Sequence, residues 1–124
     1  MTEHIDILLI EDSPSQARYF QLLLTRAGYS VQIAADGATG WLQGHICAPR
    51  LILLDVELPI VDGFELLSRF KDDPATTHIP MVMLTNREHV SQVQWAIDLG
   101  ASDYVFKDDA SRQLCSVVQQ LLRA

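Results

Sequence analysis

LILLDVELP, residues 51–59, runs four apolar residues into Asp55, places Glu57 two positions later and Pro59 two after that. Leu51-Ile52-Leu53-Leu54 shows no polar alternation, which is how a strand covered on both faces reads. A carboxylate at the end of such a strand is a costly accident, a structural cap, or a reactive group held at the rim of a sheet.

The same grammar recurs on both sides of this stretch. "IDILLI" (5–10) is a second apolar run, followed by Glu11-Asp12. Ser13 then suits a helix N-cap, Pro14 the first helical position, and Gln16 the far corner of a capping box. Ala17, Phe20, Leu24 and Ala27 share one helical face, and Gly28 supplies the stop. "YSVQIAA" (29–35) reads as a strand, and Asp36-Gly37 leads into a weaker helix through Trp41 and Leu42 that ends near His45, before Pro49. After "VELPIVD", Gly63 opens a helix with Phe64, Leu67 and Phe70 on its buried face, although glycine there adds little helix propensity. "DDPATTHIP" is a turn-rich connection, in which Asp72-Asp73 reads as a solvated turn. "MVMLT" (81–85) is a fourth strand, Val93, Ala96, Ile97 and Gly100 mark a helix and its stop, and "DYVFK" (103–107) is a fifth strand. Leu114, Val117, Val118, Leu121 and Leu122 outline a last amphipathic helix. Five strand–helix units fill residues 1–124, which predicts one α/β domain with a parallel sheet covered by helices on both faces.

Composition agrees with a compact domain. The chain has 124 residues, 48% of them hydrophobic and 20% charged, and a fold of this size buries roughly two-thirds of its extended surface. With 9 basic against 16 acidic residues the net charge is −7. No Lys/Arg cluster occurs, so a nucleic-acid surface is not expected. Cys47 and Cys115 lack metal-ligand spacing, and the N-terminus lacks the basic-then-apolar order of a signal peptide. No apolar run approaches the roughly 20 residues of a membrane span. The expectation is a cytoplasmic location with free thiols. His4, His45, His78 and His89 are scattered without ligand spacing, and the tryptophans and phenylalanines read as packing.

In open α/β sheets the site lies beyond the carboxyl ends of the strands. The residues there are Glu11-Asp12, Asp55, Thr85 and Lys107. Three carboxylates brought together repel one another unless a cation sits among them, and hard oxygen donors suit Mg2+. One carboxylate can then act as a nucleophile toward phosphorus, with a hydroxyl and an ammonium to hold the phosphoryl oxygens. Each residue alone has a bland reading: turn former, helix-start acid, β-branched strand end, solvated lysine. Their combination has one coherent chemical use.

"LLIEDSPSQ", "LILLDVELPIVDGFELL", "IPMVMLT" and "GASDYVFK", in this order, resemble the motifs of the receiver (phosphoacceptor) domain of two-component response regulators, over essentially the whole chain. That resemblance implies a flavodoxin-like fold with strand order 2-1-3-4-5 and a signalling module rather than an enzyme. It further implies that Asp55 accepts a phosphoryl group from a sensor histidine kinase, a phosphotransfer protein or a small phosphodonor. Glu11, Asp12 and Asp55 would hold Mg2+ with help from the Glu57 backbone carbonyl. Thr85 and Tyr104 would form the switch, and the fourth helix, fifth strand and fifth helix would face a downstream output protein, an output domain or a second copy in a homodimer. The sequence is compatible with a stand-alone relay module and with the receiver of a longer protein.

Three features depart from that family pattern. Most receivers place proline after the lysine, whereas this chain has Lys107-Asp108-Asp109. A cis bond before a residue other than proline costs about 2.5–4 kcal/mol, so a trans bond is expected, with Lys107 still reaching the site and Asp108 or Asp109 capping the last helix. Asn86 and Glu57 border the path of attacking water and are expected to tune acyl-phosphate lifetime. Two other readings stand beside this one. "DVE" imitates the Asp-x-Asp of haloacid-dehalogenase phosphohydrolases, which also use a strand-end aspartate with Thr and Lys, and a pseudo-receiver would bind partners without phosphorylation.

Overall fold

The computed structural model describes residues 5–123; His4 lies outside them. The chain alternates β1 (Ile7–Ile10), α1 (Pro14–Arg26), β2 (Val31–Ala34), α2 (Gly37–Ile46), β3 (Leu51–Asp55), α3 (Gly63–Asp72), β4 (Met81–Thr85), α4 (Val93–Asp98), β5 (Asp103–Phe106) and α5 (Ala110–Leu122). The five strands are parallel and lie in the order β2-β1-β3-β4-β5. This is the flavodoxin-like arrangement, with β3 at the centre.

Apolar runs without alternation become strands buried on both faces because each successive side chain enters a different core. Leu8, Ile10, Ile52, Leu54, Met81 and Met83 point to one side, against Phe64, Leu67 and Phe70 of α3, Ala96 of α4 and Trp41 of α2. Ile7, Leu9, Leu51, Leu53, Val82, Leu84 and Val105 point to the other, against Phe20 and Leu24 of α1 and Leu114 and Val118 of α5. Strands and helices thus specify each other through two separate cores.

Several boundaries differ from the sequence reading. β5 ends at Phe106, and Lys107–Asp109 form a 3-10 turn. Asp109 occupies the N-cap position of α5 without a side-chain cap bond. Its carboxylate lies 3.7 Å from Arg112, while Asp108 pairs with Arg87. The capping role expected of these aspartates is therefore not realised. The capping box is also incomplete: the Gln16 N–H donates to Ser13 Oγ at 3.4 Å, but the Ser13 N–H donates to Glu11 Oε1 at 3.1 Å. The helix predicted around 93–100 is short, preceded by a 3-10 segment Arg87–Gln92, and Ile97 is exposed while Ala96 carries the burial. Asp73 is engaged, accepting from the Ala75 N–H and meeting His45 Nε2 at 2.8 Å. All peptide bonds of the described residues are trans, Lys107–Asp108 included, and both cysteines are free. No helix among the described residues is long and apolar enough to cross a membrane.

Gly63 at the start of α3 has a steric reason. Its N–H donates to the Val56 carbonyl at 2.9 Å, and a Cβ on Gly63 would lie 2.7 Å from Val56 Cα and overlap the Asp55 carbonyl oxygen. Those are backbone atoms, which cannot rotate aside. Gly63→Ala is expected to destabilise the fold by about 1–3 kcal/mol, as overpacking does, and to displace the Asp55 amide resonance. Urea unfolding together with an amide spectrum checks both; an unshifted midpoint would contradict the tight approach.

Candidate functional site

The register of the sheet assembles the site. Ile10 stands opposite Leu54 and Asp55 opposite Leu84, so the residues just past β1 and at the end of β3 lie side by side. Oxygens of Glu11, Asp12 and Asp55 fall within 4.8 Å of one another. Glu11 and Asp55 are buried, and Asp12 is exposed. Lys107 reaches in from the far side of β4: its Nζ lies 3.0 Å from Asp55 Oδ1 and 3.2 Å from Glu11 Oε2. Glu11, Asp12, Asp55 and Lys107 line one open cleft of about 440 Å3.

Three carboxylates face one ammonium, and the imbalance shows at Glu11. Burial, then the nearby Asp55 carboxylate, push its pKa from 4.5 up to about 7, against the pull of Lys107. Its Oε1 receives the Ser13 N–H, whereas Oε2 is buried without a hydrogen bond, because the ammonium at 3.2 Å is misaligned for one. An orphaned buried oxygen beside two further carboxylates is a donor set that fits a hard divalent cation. Asp55 Oδ1 is steadied by the Glu57 N–H at 3.1 Å.

The remaining expected residues lie to either side. The Glu57 carboxylate turns away from the acidic trio to His89 Nε2, a contact that lowers the pKa of Glu57 and raises that of His89. Glu57, Glu88 and His89 thereby form a second group of possible ligands that linear spacing did not reveal. Thr85 is buried at the end of β4, and its hydroxyl donates to the Asn86 carbonyl at 3.2 Å. It lines a small cavity of about 10 Å3 together with half-buried Tyr104, Met83 and His89, behind the cleft rather than in it. Asn86 borders the cleft itself.

Two residues near the site make contacts that the sequence did not suggest, Gln16 having been read only as part of a capping box. Gln16 accepts a hydrogen bond from Lys107 Nζ at 2.8 Å. Arg87 Nε donates to both carboxylate oxygens of Asp108, at 2.8 and 3.1 Å, and its guanidinium lies 4.6 Å above the Phe106 ring. Just past Asp55, Ile60 adopts a φ of 69°, with the Val61 N–H on the Pro59 carbonyl at 2.7 Å. A β-branched residue in that conformation is strained, and such strain collects beside functional sites.

The model of the response regulator receiver domain matches residues 7–119. The chain belongs to that family. The receiver is 38% identical over 117 residues to RpaA, a DNA-binding dual master transcriptional regulator of Synechocystis sp. (strain ATCC 27184 / PCC 6803 / Kazusa), with 94% of this chain and 48% of that protein aligned. It resembles a chain assigned as a response regulator from Chloroflexus aurantiacus J-10-fl (TM-score 0.91, 30% identity, 98% of this chain and 100% of that one). It also resembles the receiver domain of the sensor histidine kinase PA1611 of Pseudomonas aeruginosa PAO1, whose active-site cleft coordinates a magnesium ion (TM-score 0.87, 24% identity, 98% and 100% covered). The chain spans about half the length, or less, of the curated relatives it matches. Receivers are signalling modules, and the haloacid-dehalogenase reading is not favoured: the family match opposes it, and the Glu57 carboxylate that would complete Asp-x-Asp points to His89.

The raised pKa of Glu11 gives a pH signature in metal-free protein. A folded pKa of about 7 against 4.5 means that this group's contribution is fully present below pH 4.5 and is lost as pH rises through 7. Glu11→Gln removes the titration. In urea unfolding with a chelator, the variant should gain about 1–3 kcal/mol on wild type between pH 4.5 and pH 8. A pH-independent difference would refute the assignment.

Proposed function

We propose that residues 1–124 act as a single phosphoacceptor receiver in which Asp55 takes a phosphoryl group from a sensor histidine kinase, a phosphotransfer protein or a small phosphodonor. The observation that carries this reading is the placement of a largely enclosed ammonium 3.0 Å from one oxygen of a buried strand-end aspartate, in an acidic cleft. An Asp55 carboxylate oxygen forms the new O–P bond while the donor's P–N or P–O bond breaks, and the bonding pair leaves with the imidazole nitrogen or the carboxylate oxygen of the donor. Lys107, no longer opposite a free carboxylate oxygen, donates to a phosphoryl oxygen instead.

Mg2+ is the cofactor that the donor set fits, held by the Glu11, Asp12 and Asp55 carboxylates and the Glu57 backbone carbonyl, and its charge would offset the repulsion between these anions and the incoming phosphoryl group. The orphaned Glu11 Oε2 and the magnesium in the related PA1611 receiver support this assignment.

Thr85 and Tyr104 would carry the switch. The Thr85 hydroxyl spends its proton only on the adjacent Asn86 carbonyl, so a phosphoryl oxygen is a better acceptor, and Tyr104 borders the cavity that this movement would open. Such a change shifts populations between two packings. The face built from α4, β5 and α5, with Trp95, Val90 and Ile97 exposed on or beside α4, would then meet an output protein or domain, or a second copy of the chain. Asn86 and Glu57, at the cleft, would tune the lifetime of the acyl phosphate.

Incubation with acetyl phosphate and Mg2+, followed by intact-mass measurement, should give one phosphoryl adduct on wild type and none on Asp55→Asn or in excess chelator. Lys107→Met should slow adduct formation at least about tenfold. Absence of the adduct on wild type would favour the pseudo-receiver.

A further inference from the structure

Lys107 lacks the support that a following proline would give. Residues 107–109 form a 3-10 turn whose helix start carries no side-chain cap, and the next residue, Asp108, is turned outward to Arg87. The lysine stem is thus not pinned by its own turn, yet its side chain is only 11% exposed and its ammonium sits between Asp55 and Glu11.

The third contact explains how the ammonium is held. Lys107 Nζ donates to Gln16 Oε1 at 2.8 Å, shorter than either of its ion-pair contacts, across 91 residues of sequence. Gln16 stands in the first turn of α1, where its backbone N–H takes the Ser13 cap. The reciprocal bond to the Ser13 N–H is made by Glu11 instead, which leaves the Gln16 carboxamide available to the cleft.

Charge distinguishes Gln16 from the other two partners. Asp55 and Glu11 are carboxylates whose charge changes with phosphorylation or metal loading, whereas a carboxamide oxygen stays neutral and unreactive at every stage. An acceptor of that kind can keep one ammonium proton while the contact to Asp55 is exchanged for one to a phosphoryl oxygen.

We propose that Gln16 is a positioning residue that anchors Lys107 over the Asp55 carboxylate in place of the rigid turn that proline would supply. This inference rests on the phosphoacceptor reading for its consequence, but not for the contact itself.

The test therefore has two arms, on wild type, Gln16→Met and Gln16→Glu. Methionine keeps the length and removes the oxygen; glutamate keeps an oxygen in place. Gln16 is exposed, and the backbone cap survives both changes. In the first arm, 15N spectra of the metal-free protein should show a Lys107 ammonium signal that exchanges slowly in wild type and in Gln16→Glu and is broadened away in Gln16→Met. In the second, the rate of adduct formation at saturating acetyl phosphate and Mg2+ should fall about tenfold in Gln16→Met, as loss of a charge-assisted bond implies. Gln16→Glu, which keeps the contact but adds a further carboxylate to the cleft, should keep the ammonium signal without regaining the wild-type rate, and Mg2+ affinity by calorimetry should stay at the wild-type value in Gln16→Met. An unchanged ammonium signal in Gln16→Met overturns the proposal, as does a lost signal with an unchanged rate. Should wild type take no phosphoryl group, the phosphoacceptor reading fails while the ammonium signal still decides whether Gln16 holds Lys107.

Discussion

The site depends on one ammonium held among carboxylates at the end of a sheet. Lys107 lies within 3.2 Å of both Asp55 and Glu11, which are themselves buried. Without that cation, two adjacent carboxylates would be withdrawn from water with nothing to offset their repulsion, a cost that proteins relieve by taking up a proton. With it, the balance is still short, since Asp12 adds a third carboxylate within 4.8 Å. Burial first and the Asp55 carboxylate second raise the pKa of Glu11, and its Oε2 is left without a hydrogen bond. A second positive charge in the cleft would offset the remaining excess.

The fold keeps this strained arrangement in place by making the surrounding backbone hard to move. β3 is central, with hydrogen-bonded neighbours on both sides, so Asp55 is carried on the best-supported strand of the sheet. α3 begins against its carbonyl, close enough that only glycine fits at residue 63. The loop between them stores strain at Ile60. Asp55 therefore has little freedom to withdraw from its neighbours, and what can respond to a change at its carboxylate lies beyond: the Thr85 hydroxyl, the small cavity it shares with Tyr104, and the short α4 with its 3-10 lead-in. Rigid chemistry on one side of the β4 terminus and a loosely packed element on the other is an asymmetry suited to signalling.

The architecture was legible in the sequence because it rests on patterns that few alternatives share. Five apolar runs separated by helical periods leave little choice but a parallel sheet, and Glu11, Asp12, Asp55 and Lys107 were recognisable as a group because they end three of those runs. What was not legible depends on side chains choosing between competing partners. Ser13-x-x-Gln16 has the form of a capping box, but Glu11 is nearer to the Ser13 N–H and Lys107 offers Gln16 a charged donor. Asp108 and Asp109 are good cap residues, but the 3-10 turn carries one to Arg87 and the other toward Arg112. His89 and Glu57 are 32 positions apart, and no linear spacing signals that the loops after β3 and β4 meet. In each case a polar group took a charged partner, near in sequence for Ser13 and Asp109 and distant for Gln16, Asp108 and Glu57.

The same contrast bears on how an anionic donor can approach. The chain carries a net charge of −7, and its cleft is lined by more carboxylates than cations, so a phosphoryl group nearing Asp55 meets a repulsive field along the whole path. Salt screens only the outer part of that field, because the innermost carboxylates are buried. Only charges inside the cleft can offset it. Lys107 is one, fixed at the Asp55 oxygen and held there by a neutral neighbour rather than by the anions alone. One ammonium shared between Asp55 and Glu11 offsets part of the charge on each, but it cannot balance three carboxylates. In the proposed phosphoacceptor, a divalent ion would answer an electrostatic need before a catalytic one: the geometry leaves a negative excess in one place, and that place adjoins the Asp55 carboxylate.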